Sequence, residues 1–346
     1  MLREVLQKRN LPPLKSKEEM LDILLREEYG YLPPKPDKVT WVETDNYIPC
    51  FCAGKATIKK VDITSYIGDK TFTFPVYVSI PVGKEKYPFF VSLNFRDSVP
   101  DRFMPTEEII DNGFAVLSFS YLDITSDDND FTTGLAGVLF NGKTRSDSDA
   151  AKLSLWAWAA HRVMDYAETI GSLDKNCSIV CGHSRLGKTA LLAAATDERF
   201  AGALANGSGC SGASITRDKI GERVREICQN FPQWSSGTYK KYIDKESEMP
   251  FDQHYLVAAI APRPVCVSTA IGEHDPVSEM LTCIAASPAY EKYGKPGFVS
   301  EDRLPVVGDR FHDGNIGFQM RDGIHYFSRE DWNCAIEFFK KRFNIE

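Results

Sequence analysis

Ser184 lies in a sequence context that suits a catalytic nucleophile. Residues 178–181 are apolar enough for a buried strand, and residues 189–196 are small residues typical of a packed helix. A serine on a tight turn between such a strand and helix projects its hydroxyl above the sheet, at the positive end of the helix dipole. The usual pattern is Gly-x-Ser-x-Gly, whereas here Leu186 is followed by Gly187. The alternative, a serine that only caps the helix, therefore stays open.

Two downstream segments supply partners for this serine. Hydrolases with such a turn present their residues in the order serine, acid, histidine. His325 follows a predicted strand and precedes the last predicted helix, as the general base should. The loop after the strand at 264–270 contains Asp275, which we expect to orient the imidazole, with Glu273 as the alternative. Asp275 also precedes Pro276, a good helix-capping arrangement that is hard to combine with the first role.

The sequence disfavours metal, nucleotide and nucleic-acid chemistry. It contains no His-x-x-x-His or clustered His/Asp spacing typical of a metal site. The glycines at 182 and 187 are one position too close for a phosphate-binding loop. A net charge of -7 argues against a nucleic-acid partner, and no apolar run approaches the ~20 residues of a membrane helix. We therefore expect no metal, no cofactor and no membrane partner, and the oligomeric state is open.

Strands that alternate with helices are predicted to position these residues. The first 36 residues form an N-terminal helical extension with a helix at 17–29, and β-like stretches follow at 56–67 and 71–80. Further strands are predicted at 89–93, 114–119, 178–181, 202–205 and 264–270, with helices at 106–112, 149–170, 189–196 and 329–342. This alternation indicates a mostly parallel sheet covered on both faces, with an antiparallel N-terminal edge. We predict an α/β-hydrolase fold in one domain, residues 1–346.

Other features concern the compartment and one long loop. The nine cysteines show no metal-site spacing and read as reduced thiols. The charged N-terminus has no apolar signal region, so we expect a cytoplasmic protein. Residues 123–149 are too long for a plain connection, which indicates a functional or mobile loop.

The segment from Gly182 to Lys188, Gly-His-Ser-Arg-Leu-Gly-Lys, resembles the G-x-S-R-x-G-K motif of carbohydrate esterase family 15, the glucuronoyl esterases. Other stretches look like segments of that family: residues 27–30, 155–158, 208–213, 220–222, 231–234 and 250–264. The resemblance implies a serine esterase that works through an acyl-enzyme. It also implies that Arg185 helps to hold the oxyanion, and that Lys188 and Glu222 bind sugar hydroxyls.

Two departures from the family pattern bear on the acid and the substrate. Gly207 stands where many members have the catalytic glutamate, which favours an acid at Asp275. Residues 271–276 lack the sugar-stacking tryptophan that the family places on this loop. We expect a small carbohydrate or uronate ester as substrate. The alternatives are a deacetylase of acetylated sugars with the same machinery, and a carbohydrate-binding protein with a degenerate catalytic site.

Overall fold

The computed structural model describes residues 1–45 and 47–345, which are built around a ten-stranded sheet. The strands are β1 (Lys38–Thr44), β2 (Ala56–Ile67), β3 (Lys70–Pro81), β4 (Tyr87–Asn94), β5 (Ala115–Ser120), β6 (Leu173–His183), β7 (Gly202–Asn206), β8 (Val265–Ala270), β9 (Arg310–Phe311) and β10 (Ile316–Arg321). Their order is β1-β2-β3-β5-β4-β6-β7-β8-β10-β9. The run from β5 to β10 is parallel, whereas β1 to β3 pair antiparallel. The predicted α/β-hydrolase fold is confirmed.

Ten α-helices flank this sheet in the part of the chain that the structure describes. They are α1 (Leu2–Lys8), α2 (Lys17–Leu24), α3 (Thr106–Asp111), α4 (Gly134–Phe140), α5 (Lys152–Ala167), α6 (Arg185–Thr196), α7 (Val224–Asn230), α8 (His254–Ala258), α9 (Pro276–Glu291) and α10 (Arg329–Phe343). None of the described helices combines the length and apolarity needed to cross a bilayer.

The central strands are apolar on both faces because helices cover both sides. Along β4, Phe89 and Val91 point into the core shared with α5 and α6. Phe90 points to the other face, where its ring lies 5.1 Å from that of Trp332 on α10. Such strands appear in the sequence as continuous apolar runs, which is why they could be predicted. The carboxyl ends of the parallel strands therefore share one edge of a rigid sheet.

Four helices and strands differ from the prediction in their bounds or were not predicted. The predicted helix at 17–29 ends its α-helical part at Leu24 and continues as a π-helical turn over Leu25–Tyr29. Strand β1 was missed because most of its side chains face solvent. Helix α4 lies inside the predicted long loop at 123–149. Helix α6 begins at Arg185, directly after Ser184, four residues earlier than predicted.

Candidate active site

The chain changes direction sharply at Ser184, between β6 and α6. Ser184 has φ 58° and ψ -127°, a conformation that costs a non-glycine residue about 1–3 kcal/mol. Its backbone N–H donates to the Asn206 carbonyl at 2.8 Å. In the described residues its side chain makes no capping hydrogen bond to α6. The helix-capping alternative is therefore wrong, and the half-buried hydroxyl stands at the carboxyl end of β6.

Two glycines let this turn pack closely. A Cβ on Gly182 would lie 2.3 Å from the carbonyl oxygen of Leu186, so only glycine fits there. A Cβ on Gly187 would lie 3.1 Å from the carbonyl oxygens of Asn206 and Gly182. The Leu186 side chain is fully buried in the core. The second glycine therefore serves close packing one residue later than in the Gly-x-Ser-x-Gly pattern.

His325 follows β10, and its imidazole pairs with Glu273 on the loop after β8. The imidazole Nδ1 lies 2.8 Å and 2.9 Å from the two Glu273 carboxylate oxygens. The Glu273 side chain is only 8% exposed, whereas that of His325 is 47% exposed. Because a carboxylate can only accept, Nδ1 carries the proton of the neutral imidazole, and Nε2 keeps its lone pair.

The prediction that Asp275 orients His325 is wrong. Asp275 is the N-cap of α9, and its carboxylate accepts from the Ser278 backbone N–H at 3.1 Å and from the Ser278 hydroxyl at 2.5 Å. It also accepts from the Ile220 N–H at 3.3 Å. With Pro276 in the first turn, the helix-capping alternative describes what Asp275 does. The alternative acid, Glu273, occupies the position beside His325.

Gly207 makes room for this histidine–carboxylate pair. The residue follows β7 and has φ +52°, which suits glycine. A Cβ at this position would lie 2.7 Å from Glu273 Oε1 and 3.2 Å from the His325 ring. The Glu273 carboxylate can therefore occupy its position beside His325 only because residue 207 has no side chain.

Ser184 and His325 line one cavity of about 200 Å³ at the carboxyl edge of the sheet. The structure brings the other sequence-predicted residues to the same cavity: Arg185, Lys188, Glu222 and Asp275, together with Glu273. A serine hydroxyl, an imidazole held by a carboxylate, and two cationic side chains therefore meet in one space. This set can attack a carbonyl carbon and stabilise negative charge.

Arg185 lies directly after the serine, with its side chain 25% exposed. Its Nη1 donates to the carboxylate of Asp127, and its guanidinium carbon lies 4.7 Å from the centre of the Trp234 ring. Its Nε is buried without a hydrogen-bond partner among the described residues. The guanidinium is therefore fixed on one side by Asp127 and Trp234, at the edge of the cavity that it lines.

Lys188 is buried beneath the cavity floor, and its ammonium is largely occupied by the protein. Its Nζ donates to the Ser208 carbonyl at 2.7 Å and also to the Cys210 carbonyl. The Glu222 carboxylate lies 3.5 Å away. Lys188 therefore holds the loop after β7 in place and orients Glu222, which is more exposed to the cavity.

His183, to which no sequence pattern gave a role, packs against His325 with ring centres 4.4 Å apart. Its Nδ1 lies 2.6 Å from the Asn206 side-chain oxygen. Burial, together with the neighbouring His325, lowers the pKa of His183 to about 3. A neutral His183 does not oppose positive charge on His325 during proton transfer.

Three further residues at or near the cavity, Asp127, Trp234 and Glu279, were given no role by the sequence. Trp234 is buried, lines the cavity and donates its indole N–H to Asp127 at 2.7 Å. Glu279 lies on α9 at the cavity and accepts from the Gly209 N–H at 3.1 Å. Burial, aided by the nearby Glu273, raises the pKa of Glu279 to about 7. Residues 231–234 carried a family signal, whereas Asp127 and Glu279 carried none.

The strand order and the strained turn at Ser184 define a protein of the α/β-hydrolase class. A model of the family described as "Glucuronyl esterase, fungi" matches residues 63–294. The chain belongs to the glucuronoyl esterase family, carbohydrate esterase family 15, as the resemblance predicted. Its members are carboxylic-ester hydrolases.

Individual relatives agree with this assignment. Carbohydrate esterase MZ0003, from an unknown prokaryotic organism, is 35% identical over 237 residues, which are 67% of this chain and 54% of the relative. The 4-O-methyl-glucuronoyl methylesterase 1 of Wolfiporia cocos is 27% identical over 89% of this chain and 78% of its own length. A solved glucuronoyl esterase from Solibacter usitatus superposes with a TM-score of 0.86 and 30% identity, covering 95% of this chain and 92% of that chain. The chain thus spans about half of the first relative and most of the other two.

Proposed function

We propose that this chain hydrolyses esters of glucuronic-acid-type uronates through an acyl-enzyme on Ser184. The observation that carries the proposal is the 2.8 Å contact between His325 Nδ1 and Glu273, in the cavity that Ser184 also lines. Relatives support the substrate class, since the Wolfiporia cocos protein is a 4-O-methyl-glucuronoyl methylesterase and the Solibacter usitatus protein is a glucuronoyl esterase.

The reaction begins with proton transfer from Ser184 to His325. The serine oxygen attacks the ester carbonyl while Nε2 of His325 takes the hydroxyl proton. Glu273 stabilises the resulting imidazolium and keeps the ring in the tautomer that leaves Nε2 basic. The ester C–O bond then breaks, the departing alcohol receives the proton from Nε2, and the uronoyl group remains on Ser184. Water, deprotonated by the same histidine, releases the uronate.

The Arg185 guanidinium supplies the second oxyanion donor, in place of a backbone N–H from the loop after β4. Hydrolases of this class use the N–H of the residue after the nucleophile and a second N–H from the loop after the third strand of the core sheet. Here that loop follows β4, and the Phe95 N–H already donates to the Asn94 side chain at 2.9 Å. The Arg185 backbone N–H at the start of α6 and the Arg185 guanidinium fill the two places.

The sugar ring is recognised by charged and aromatic walls. The Glu222 carboxylate, held by Lys188, accepts hydrogen bonds from ring hydroxyls. The rings of Phe231 and Trp234 are stacked 3.9 Å apart and both line the cavity, which offers an apolar surface to the sugar. The half-exposed His325 leaves the alcohol side of the ester facing solvent.

The test compares methyl glucuronate with an acetylated xyloside, using the wild type and Ser184→Ala. The wild type should favour the uronate ester, and the variant should lose turnover by more than about 10³-fold while its melting temperature is unchanged. Retained turnover in Ser184→Ala would remove the proposal. A preference for the acetyl ester would indicate a deacetylase. If neither ester were hydrolysed and a fluorophosphonate failed to label Ser184, the chain would be a binding protein with a degenerate site.

A further inference from the structure

Asp127 receives hydrogen bonds from three separate parts of the chain. One carboxylate oxygen accepts from the indole N–H of Trp234 at 2.7 Å and the Gln233 amide at 3.0 Å. The other oxygen accepts from Arg185 Nη1 and from the Tyr121 hydroxyl at 3.4 Å. A carboxylate has about four acceptor positions, so all of them are used. The orientation of this carboxylate is therefore determined by its surroundings.

The segment that carries Asp127 is held from behind by a buried lysine. Lys152 has no exposed surface. Its ammonium donates to the Thr125 hydroxyl at 2.8 Å, the Ser126 hydroxyl at 3.3 Å and the Asp130 carbonyl at 2.5 Å. These three bonds use all three ammonium hydrogens and lie on both sides of Asp127 in sequence. This part of the long 123–149 loop is thus held in place behind two residues that line the cavity, Arg185 and Trp234.

The fixed carboxylate restricts the guanidinium of Arg185. A free arginine side chain loses conformational entropy when it is ordered. Asp127 imposes that order before substrate arrives, because it holds Nη1 while the Trp234 ring lies 4.7 Å below the guanidinium carbon. The negative charge of Asp127 also offsets part of the positive charge of Arg185. The benefit for catalysis is therefore orientation of the remaining donors.

We propose that Asp127 is a positioning residue that fixes the Arg185 guanidinium for stabilisation of the oxyanion, and that it couples this arginine to the Trp234 wall of the sugar site. The inference rests on the proposed function, since it assigns Arg185 to the oxyanion. It gives a role to part of the 123–149 loop, and Asp127 acts through Arg185 without touching the reacting atoms.

A double-mutant cycle tests this role, with kcat and KM measured on methyl glucuronate. Asp127→Asn keeps the size and one acceptor of the side chain but removes its charge. It should lower kcat about 10- to 100-fold with KM changed less than about threefold, and Arg185→Ala should lower kcat about 10²- to 10³-fold. In the Arg185→Ala background, Asp127→Asn should cost less than about threefold more, because residues that act as a unit are non-additive.

The matched control is Asp128→Asn, which removes a neighbouring charge in the same segment. Asp128 is exposed and its hydrogen bonds are to Ser126 and Asp130, so this variant should retain wild-type kcat. Unchanged kcat in Asp127→Asn would overturn the proposal. So would losses that multiply with those of Arg185→Ala, since they would mean that Asp127 acts only on the fold. If Asp127→Asn does not fold, Asp127→Glu tests the same coupling with the charge kept but displaced by one methylene.

A second readout separates this inference from the proposed function. The rate at which a fluorophosphonate labels Ser184 depends on the oxyanion donors but not on a sugar. If the wild type labels rapidly without hydrolysing methyl glucuronate, the proposed substrate is wrong, and the same cycle measured by labelling rate still decides the role of Asp127. Equal labelling rates for wild type and Asp127→Asn would overturn it.

Discussion

Gly207 and Glu273 share one space beside His325, because a Cβ on Gly207 would come within 2.7 Å of Glu273 Oε1. The resemblance to carbohydrate esterase family 15 places the catalytic glutamate of many members at the position of Gly207. In this chain the carboxylate reaches the imidazole from the loop after β8, and the residue that follows strand β7, Gly207, has no side chain. A carboxylate beside His325 can therefore be supplied from either of two sequence positions, 207 or 273.

The first prediction follows from this shared space. Gly207→Ala should displace Glu273 and lower kcat about 10- to 100-fold, because a shift of about 1 Å in a catalytic group has that effect. The double variant Gly207→Glu/Glu273→Ala should recover activity relative to Glu273→Ala alone. The control is Gly209→Ala, which has nearly the same φ of +54° but whose Cβ would meet only Glu222, at 3.7 Å. Equal loss in both alanine variants would mean that backbone strain alone is responsible.

The second prediction separates the two acids of one loop. Glu273→Gln should lower kcat about 10²- to 10⁴-fold, because a neutral amide no longer fixes the imidazole tautomer or stabilises its cation. Asp275→Asn should change kcat only a few-fold and lower the free energy of unfolding by about 1 kcal/mol through a weaker cap on α9. Kinetics and chemical denaturation measure both effects. The opposite pattern would restore Asp275 as the acid.

The third prediction concerns the pH dependence of stability. Burial raises the pKa of Glu28, and also that of Glu279, from 4.5 to about 7. Between pH 4.5 and 7 the folded state therefore holds more protons than the unfolded state, so the free energy of unfolding should fall as pH rises through this window. Glu28→Gln and Glu279→Gln should each flatten the slope in urea unfolding measured at several pH values. An unchanged slope in both variants would contradict the prediction.

The fourth prediction distinguishes support from substrate binding at Lys188 and Glu222. Lys188→Met leaves the carbonyls of Ser208 and Cys210 without their buried donor and Glu222 without its cation. It should therefore lower the free energy of unfolding by about 3 kcal/mol or more. Glu222→Gln should leave stability within about 0.5 kcal/mol and raise KM for methyl glucuronate. A Lys188→Met protein of wild-type stability would show that the lysine serves the substrate alone.

Much of the fold was readable from the sequence because the central strands are buried on both faces. Their continuous apolar runs, such as residues 89–93, carry a strong signal. The sequence signal was weak for strand β1, which is largely exposed. It was also weak for helix α4, which is short and contains two glycines. The prediction of Ser184 rested on a local requirement for small neighbours, which a single sequence displays.

The acid that pairs with His325 and the residue that positions Arg185 could not be predicted from the sequence. Glu273 and Asp275 are two residues apart, and which of them faces His325 depends on how the loop after β8 turns. The helix-capping signal of Asp275 before Pro276 was visible and described its role. Asp127 lies 58 residues before Arg185, and a contact over that distance leaves no pattern in one sequence.

The deep burial of two ammonium groups has a practical consequence. Lys152 is 0% exposed and Lys188 is 3% exposed, so neither is open to reagents that modify amines on the folded protein. Exposed lysines such as Lys86 and Lys292 remain available for attachment to a support. Coupling through surface amines should therefore leave Lys188 at the cavity, and Lys152 behind the segment that carries Asp127, chemically untouched, which makes the protein suited to immobilisation.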